Sequence, residues 1–140
     1  MRKVISMLMS LVMFFTVAIP CFAATPDETV VSPRYTHISS NSVDLTINET
    51  TGIATCNATC YAPGTYTVEV ECKLQRYQGG FWSTIKTWTS SGIRYASVYQ
   101  NWAVYSGYTY RIYVVFYVRD SAGNLLESAT SSASYNYPKN

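Results

Sequence analysis

"GYTYRIYVVFYVRDSAGN", Gly107 to Asn124, places four tyrosines and a phenylalanine in eleven residues and then breaks at Asp-Ser-Ala-Gly-Asn. Tyr108, Tyr110, Ile112, Val114, Phe116 and Val118 share one parity, and Arg111, Tyr113, Val115, Tyr117 and Arg119 share the other. In an extended chain successive side chains point to opposite faces. The first set therefore reads as a core face and the second as an outward face rich in aromatic and guanidinium groups. One strand of twelve residues, followed by a tight loop, decides the class: the chain pairs strands.

The same alternation continues in both directions. Val43, Leu45 and Ile47 alternate with polar neighbours and stop at Asn48–Gly52. Ala54, Cys56, Ala58 and Cys60 form a small-residue face, ended by Ala62-Pro63-Gly64, and such a face calls for large side chains opposite it. Tyr66, Val68, Val70, Cys72 and Leu74 alternate with Thr67, Glu69, Glu71, Lys73 and Gln75, a charged face turned to water. Gly79-Gly80 turns the chain into a hairpin strand from Phe81 to Thr89, in which Trp82 and Trp88 share a parity. Ser90-Ser91-Gly92 reads as a further turn, followed by strands from about Ile93 to Trp102, Tyr108 to Arg119 and Leu125 to Tyr135. Seven to eight short strands joined by short connections predict an all-β fold, a two-sheet antiparallel β-sandwich.

The N-terminus sets the compartment. Arg2 and Lys3 precede an apolar run from Val4 to Pro20, and Cys21-Phe22-Ala23 has small residues where a signal peptidase cuts. Residues 1–23 read as a secretory signal peptide, 24–33 as a flexible leader and 34–140 as the sandwich domain, so a secreted protein with no membrane segment after cleavage is expected. Pro20 occupies the place where lipoprotein processing wants a small residue, which excludes Cys21 as a lipid anchor. Arg2 and Lys3 leave with the signal, so eight basic residues remain against eight acidic ones. That balance excludes a row of phosphates as ligand, and nucleic acid with it.

Val104 to Val114, "VYSGYTYRIYV", resembles the segment of fibronectin type III and related immunoglobulin-like sandwiches that leads into the sixth strand. Val104 stands for that family's leucine, Gly107 for its glycine and Tyr110 for the tyrosine of the tyrosine corner. "DSAGN", Asp120 to Asn124, resembles the hairpin loop between the family's last two strands. Ser106 replaces the family's proline, and the second strand lacks its core tryptophan. The chain is also similar to small secreted proteins of Gram-positive bacteria.

Cys56, Cys60 and Cys72 are the cysteines that remain after cleavage, an odd number. Cys56 and Cys60, four residues apart on one strand, are too distant to bridge. In a sandwich the strands carrying Cys56 and Cys72 lie in opposed sheets at similar distances from Pro63-Gly64. Cys56 with Cys72 is thus the first disulfide candidate and Cys60 with Cys72 the second; in a reducing habitat all three remain thiols.

Arg111, Tyr113, Tyr117 and Arg119, joined by Trp82 and Trp88 if the hairpin strand lies in the same sheet, are the ligand-binding candidates. Flat rings pack on the C–H faces of sugars while neighbouring polar groups hydrogen-bond. The bland reading of the same residues is cross-strand stiffening. Glu69 and Glu71 are equivalent in water and have no reason to differ in pKa, which argues against an acid–base pair. His37, the sole histidine, lacks companions at metal-ligand spacing, and neither a cofactor nor a metal is expected. The expectation is a secreted non-catalytic binding module for a polysaccharide or surface protein. Self-association is the alternative, and a secreted toxin or bacteriocin stands behind both.

Overall fold

A computed structural model describes residues 35–140. The segments read as signal peptide (1–23) and leader (24–33), together with Arg34, lie outside the described residues. Seven strands follow in chain order: β1 (Ser40–Asn48), β2 (Ile53–Tyr61), β3 (Thr67–Gln78), β4 (Phe81–Ile93), β5 (Tyr95–Ala103), β6 (Tyr108–Arg119) and β7 (Leu125–Tyr137). They form a three-stranded sheet, β1-β2-β5, and a four-stranded sheet, β4-β3-β6-β7, with every pairing antiparallel. The protein is a two-sheet antiparallel all-β sandwich.

Alternation in sequence becomes alternation in burial. β2 contributes Ala54, Cys56, Ala58 and Cys60 to the core, β3 contributes Val68, Val70, Cys72 and Leu74, and β6 contributes Tyr110, Ile112, Val114, Phe116 and Val118. Opposite the small face of β2 stands the sheet that carries the largest buried side chains, Tyr110 and Phe116, with half-buried Trp88 packed against the same core. Small against large fills the gap of about 10 Å between packed sheets.

Between β5 and β6 the chain turns at Gly107 (φ 90°). The buried Tyr110 hydroxyl donates to the carbonyl of Tyr105 at 2.7 Å and accepts from the Tyr105 N–H at 3.1 Å, fixing the corner across five residues. The Arg76 guanidinium covers Tyr108 beside it, 4.7 Å from the ring centre. The Asp120–Asn124 loop is closed by the Asp120 carboxylate, which accepts from the N–H groups of Ala122 and Asn124 and from the Asn124 side chain.

Ser90-Ser91-Gly92 is not a turn. β4 runs straight through it to Ile93, and the chain changes sheets at Arg94, a non-glycine residue in the left-handed region (φ 69°). Gly92 is glycine for a different reason: a Cβ there would collide with the Tyr95 carbonyl as the chain doubles back.

Both outer strands of the four-stranded sheet are interrupted. The β3–β4 register shifts between Leu74 and Gln75, leaving Ile85 unpaired, and Lys86 then shares the inward face with Leu74. The β6–β7 register shifts between Val118 and Arg119, leaving Leu126 unpaired, and Glu127 shares the inward face with Val118. Glu127 accepts hydrogen bonds from three successive amides, Thr36 at 2.8 Å, His37 at 2.6 Å and Ile38 at 2.9 Å, and so fastens the segment entering β1 to β7. Burial pushes this carboxyl up, but the three amides and nearby His37 outweigh it and hold it below the ordinary range.

Candidate functional site

The outward face of the four-stranded sheet collects five of the six ligand-binding candidates. β6 contributes Arg111, Tyr113, Val115, Tyr117 and Arg119, all half-buried against their neighbours. Their cross-strand partners on β3 are Gln75, Lys73, Glu71, Glu69 and Thr67, so a row of guanidinium and aromatic groups around Val115 lies beside a row of polar and charged ones. On β4, Trp82 lies opposite Tyr77 and their rings meet at 5.2 Å.

Arg111 ties the three strands together. Its Nε donates to the Gln75 side-chain oxygen Oε1 at 2.8 Å, and the Gln75 Nε2 in turn donates to the Thr84 hydroxyl at 3.1 Å. Held in that way, the guanidinium lies 4.3 Å from the Trp82 ring centre and 5.4 Å from that of Tyr113. Tyr77, Trp82, Arg111 and Tyr113 therefore form one continuous cluster of aromatic rings around a guanidinium, with the Tyr77 and Trp82 rings tilted 57° to each other. Further along β6, Arg119 lies over Tyr117 at 5.7 Å, with Val115 and the Glu71–Lys73 ion pair (3.1 Å) between the two groups. Cation–aromatic contacts of this kind pre-order long side chains at a modest energetic gain each.

Trp88 is not part of this face. The bulge at Ile85 reverses the parity of β4, so Trp82 points outward with Gln75 and Tyr77 while Trp88 points inward with Cys72. There Trp88 meets Trp102 of β5 edge to face at 6.3 Å, and Lys86 lies 4.9 Å from the Trp102 ring centre. The two tryptophans close the seam between the sheets.

Glu69 and Glu71 lie on the outward face, half-buried, with Glu71 engaged by Lys73. His37 packs edge-on against Tyr66 at 5.3 Å, and its Nδ1 stands 3.6 Å from Glu127. Thr36, His37 and Pro63 to Tyr66 line an open cleft of about 590 Å³ at that end of the sandwich, which sequence reasoning did not anticipate. Among the described residues no group of three or more His, Cys, Asp and Glu converges as a metal site would require.

Cys56, Cys60 and Cys72 stand as buried thiols. Burial pushes Cys56 up to about 12, with a smaller contribution from neighbouring Cys72, and burial pushes Cys60 and Cys72 each up to about 11. Cys56 and Cys72 thus lie within electrostatic reach across the two sheets. At neutral pH such thiols are poor nucleophiles. No protein-family model and no curated protein matches this sequence.

Proposed function

We propose that this chain is a secreted, non-catalytic binding module with an immunoglobulin-like, fibronectin type III-like sandwich, and that its ligand is an extended polysaccharide at a cell surface or in the extracellular matrix. The observation that carries the reading is the Tyr77–Trp82–Arg111–Tyr113 cluster, continued by Tyr117 and Arg119 along β6. Its rings are amphipathic and its guanidinium is held in place before any ligand arrives, which lowers the ordering cost of binding. The face is a sheet surface with its aromatic and guanidinium groups spread along β6, so the ligand that suits it is a chain long enough to lie along that strand. The strand order β1-β2-β5 against β4-β3-β6-β7 and the Tyr110 hydroxyl bridge to Tyr105 support the family reading. The basic, apolar N-terminal segment supports export.

Tryptophan fluorescence of the purified protein against cell-wall, mucin-type and plant glycans tests this. Saturable quenching or a blue shift is expected from at least one polymer, weakened roughly tenfold or more by the double variant Trp82→Ala, Tyr113→Ala. A flat response to every glycan removes the carbohydrate reading and leaves a protein partner as the ligand of this face; a response that the variant keeps unchanged removes this face as the carbohydrate site.

A further inference from the structure

Among the described residues four strands end the two sheets, and three of them carry a device that discourages another strand from adding on. β4 has the bulge at Ile85 and an inward cation, Lys86. β7 has its own bulge and the inward carboxylate of Glu127, with the segment entering β1 fastened across it. β1 carries Asp44 at its middle. β5 has none of these: "YASVYQNWA" contains no charge, no proline and no glycine, and its register against β2 runs unbroken from Tyr95 to Ala103. Tyr95, Tyr99 and Trp102 of this strand are 52%, 65% and 38% exposed. Proteins blunt the edges they do not use, and an unguarded edge with exposed aromatic side chains is the one available for pairing.

We propose that β5 is the contact through which two copies of this chain associate, edge to edge and antiparallel, into a continuous six-stranded sheet. The strand is self-complementary in the way a twofold contact demands. Centred on Tyr99, the pairing sets Val98 opposite the partner's Gln100, Ser97 opposite Asn101 and Ala96 opposite Trp102. Large meets small in the last pair, as Trp102 already does opposite Ala54 of β2. No charge within the strand meets its own image. Arg94, just outside it, is separated from its twin by the whole length of the strand, about 30 Å. Because the twofold axis is perpendicular to the sheet, both copies turn the Trp82–Tyr113 face to the same side, so one polymer could engage two platforms. The pairing itself uses neither that face nor any bound ligand, and it stands independently of the carbohydrate reading.

Sedimentation velocity over a wide micromolar range tests it. The purified protein is expected to shift from monomer to dimer with concentration. Tyr99→Lys and Tyr99→Glu, substitutions at an exposed position, each set like charges directly against each other and should raise the dimer dissociation constant about tenfold or more. Mixing the two variants should restore a dimer. A wild-type protein that stays monomeric throughout overturns the proposal, as does a Tyr99→Lys variant that dimerises like wild type. A dimer that survives Tyr99→Lys but is lost with Tyr113→Ala assigns the contact to the aromatic face and overturns it too.

Discussion

The two sheets share one core, yet they are built from side chains of different size. The three-stranded sheet meets the core with Leu45 and Ile47 on β1 but only with Ala54, Cys56, Ala58, Cys60, Ala96 and Val98 on β2 and β5, and its outward face shows Ser42, Thr46, Thr55, Asn57 and Thr59, with Tyr95 and Tyr99 at the β5 edge. The four-stranded sheet meets the core with Leu74, Tyr110, Ile112 and Phe116, and its outward face shows Trp82, Arg111, Tyr113 and Tyr117. The difference teaches a division of labour. The aromatic bulk of the core comes from one side and meets the small face of β2 on the other, and the sheet that supplies it also presents the aromatic and guanidinium face. The three-stranded sheet accepts that volume on the small face of β2 and β5, and its own exposed aromatic residues, Tyr95 and Tyr99, lie along the β5 edge.

The sharpest way to break this comparison is to remove volume from each sheet in turn. Phe116→Ala is expected to cost about 3–5 kcal/mol in denaturant unfolding, whereas Cys56→Ala, which deletes one heavy atom, should cost about 1 kcal/mol. Equal costs would mean that the small face of β2 supplies packing of its own. Next in size is the tie between the sheets. Glu127→Gln weakens three charge-assisted hydrogen bonds and should cost about 1–3 kcal/mol. The carboxyl sits below its ordinary pKa in the folded state, so its contribution is present above the ordinary carboxyl range and is lost as pH falls through the folded value. Acid titration of stability should therefore be flatter in Glu127→Gln than in wild type. Smallest are the outward faces. Tyr113→Ala and Thr55→Ala should each change stability by about 1 kcal/mol or less. Only Tyr113→Ala should weaken glycan binding; a matching loss from Thr55→Ala would erase the distinction between the faces.

The parity of each strand was legible wherever the ladder runs unbroken. Along β6, Tyr108 to Val118 alternate as their chemistry implies, and the same holds for β2 and most of β3, since a half-buried strand has only one register that hides its apolar side. Trp88 was misplaced because a single unpaired residue, Ile85, inverts everything beyond it, and nothing in "FWSTIKTWT" distinguishes a bulged strand from a straight one. Ser90-Ser91-Gly92 has the composition of a turn and sits in a strand. The turn falls at Arg94, whose side chain gives no warning of a left-handed backbone, while its guanidinium bonds the Tyr61 hydroxyl at 3.1 Å. The grip of Glu127 on three amides some ninety residues away has no local signature at all. Long-range pairings of this kind become visible only once the topology brings β7 beside the chain entering β1.

The buried thiols carry one more consequence: they are a clock. With pKa values pushed to about 11 and 12 by burial, they expose almost no thiolate at neutral pH, so a thiol reagent can modify them only when the sandwich opens. Labelling followed by mass spectrometry should be slow in the native protein and immediate in denaturant, and the order of labelling reports how the sheets part. Cys60 lies near the Glu127 tie, and Cys56 is two pleat repeats away along the same strand. If Glu127→Gln accelerates Cys60 ahead of Cys56, the sheets separate first where the chain enters; if all three accelerate together, the sandwich opens as one.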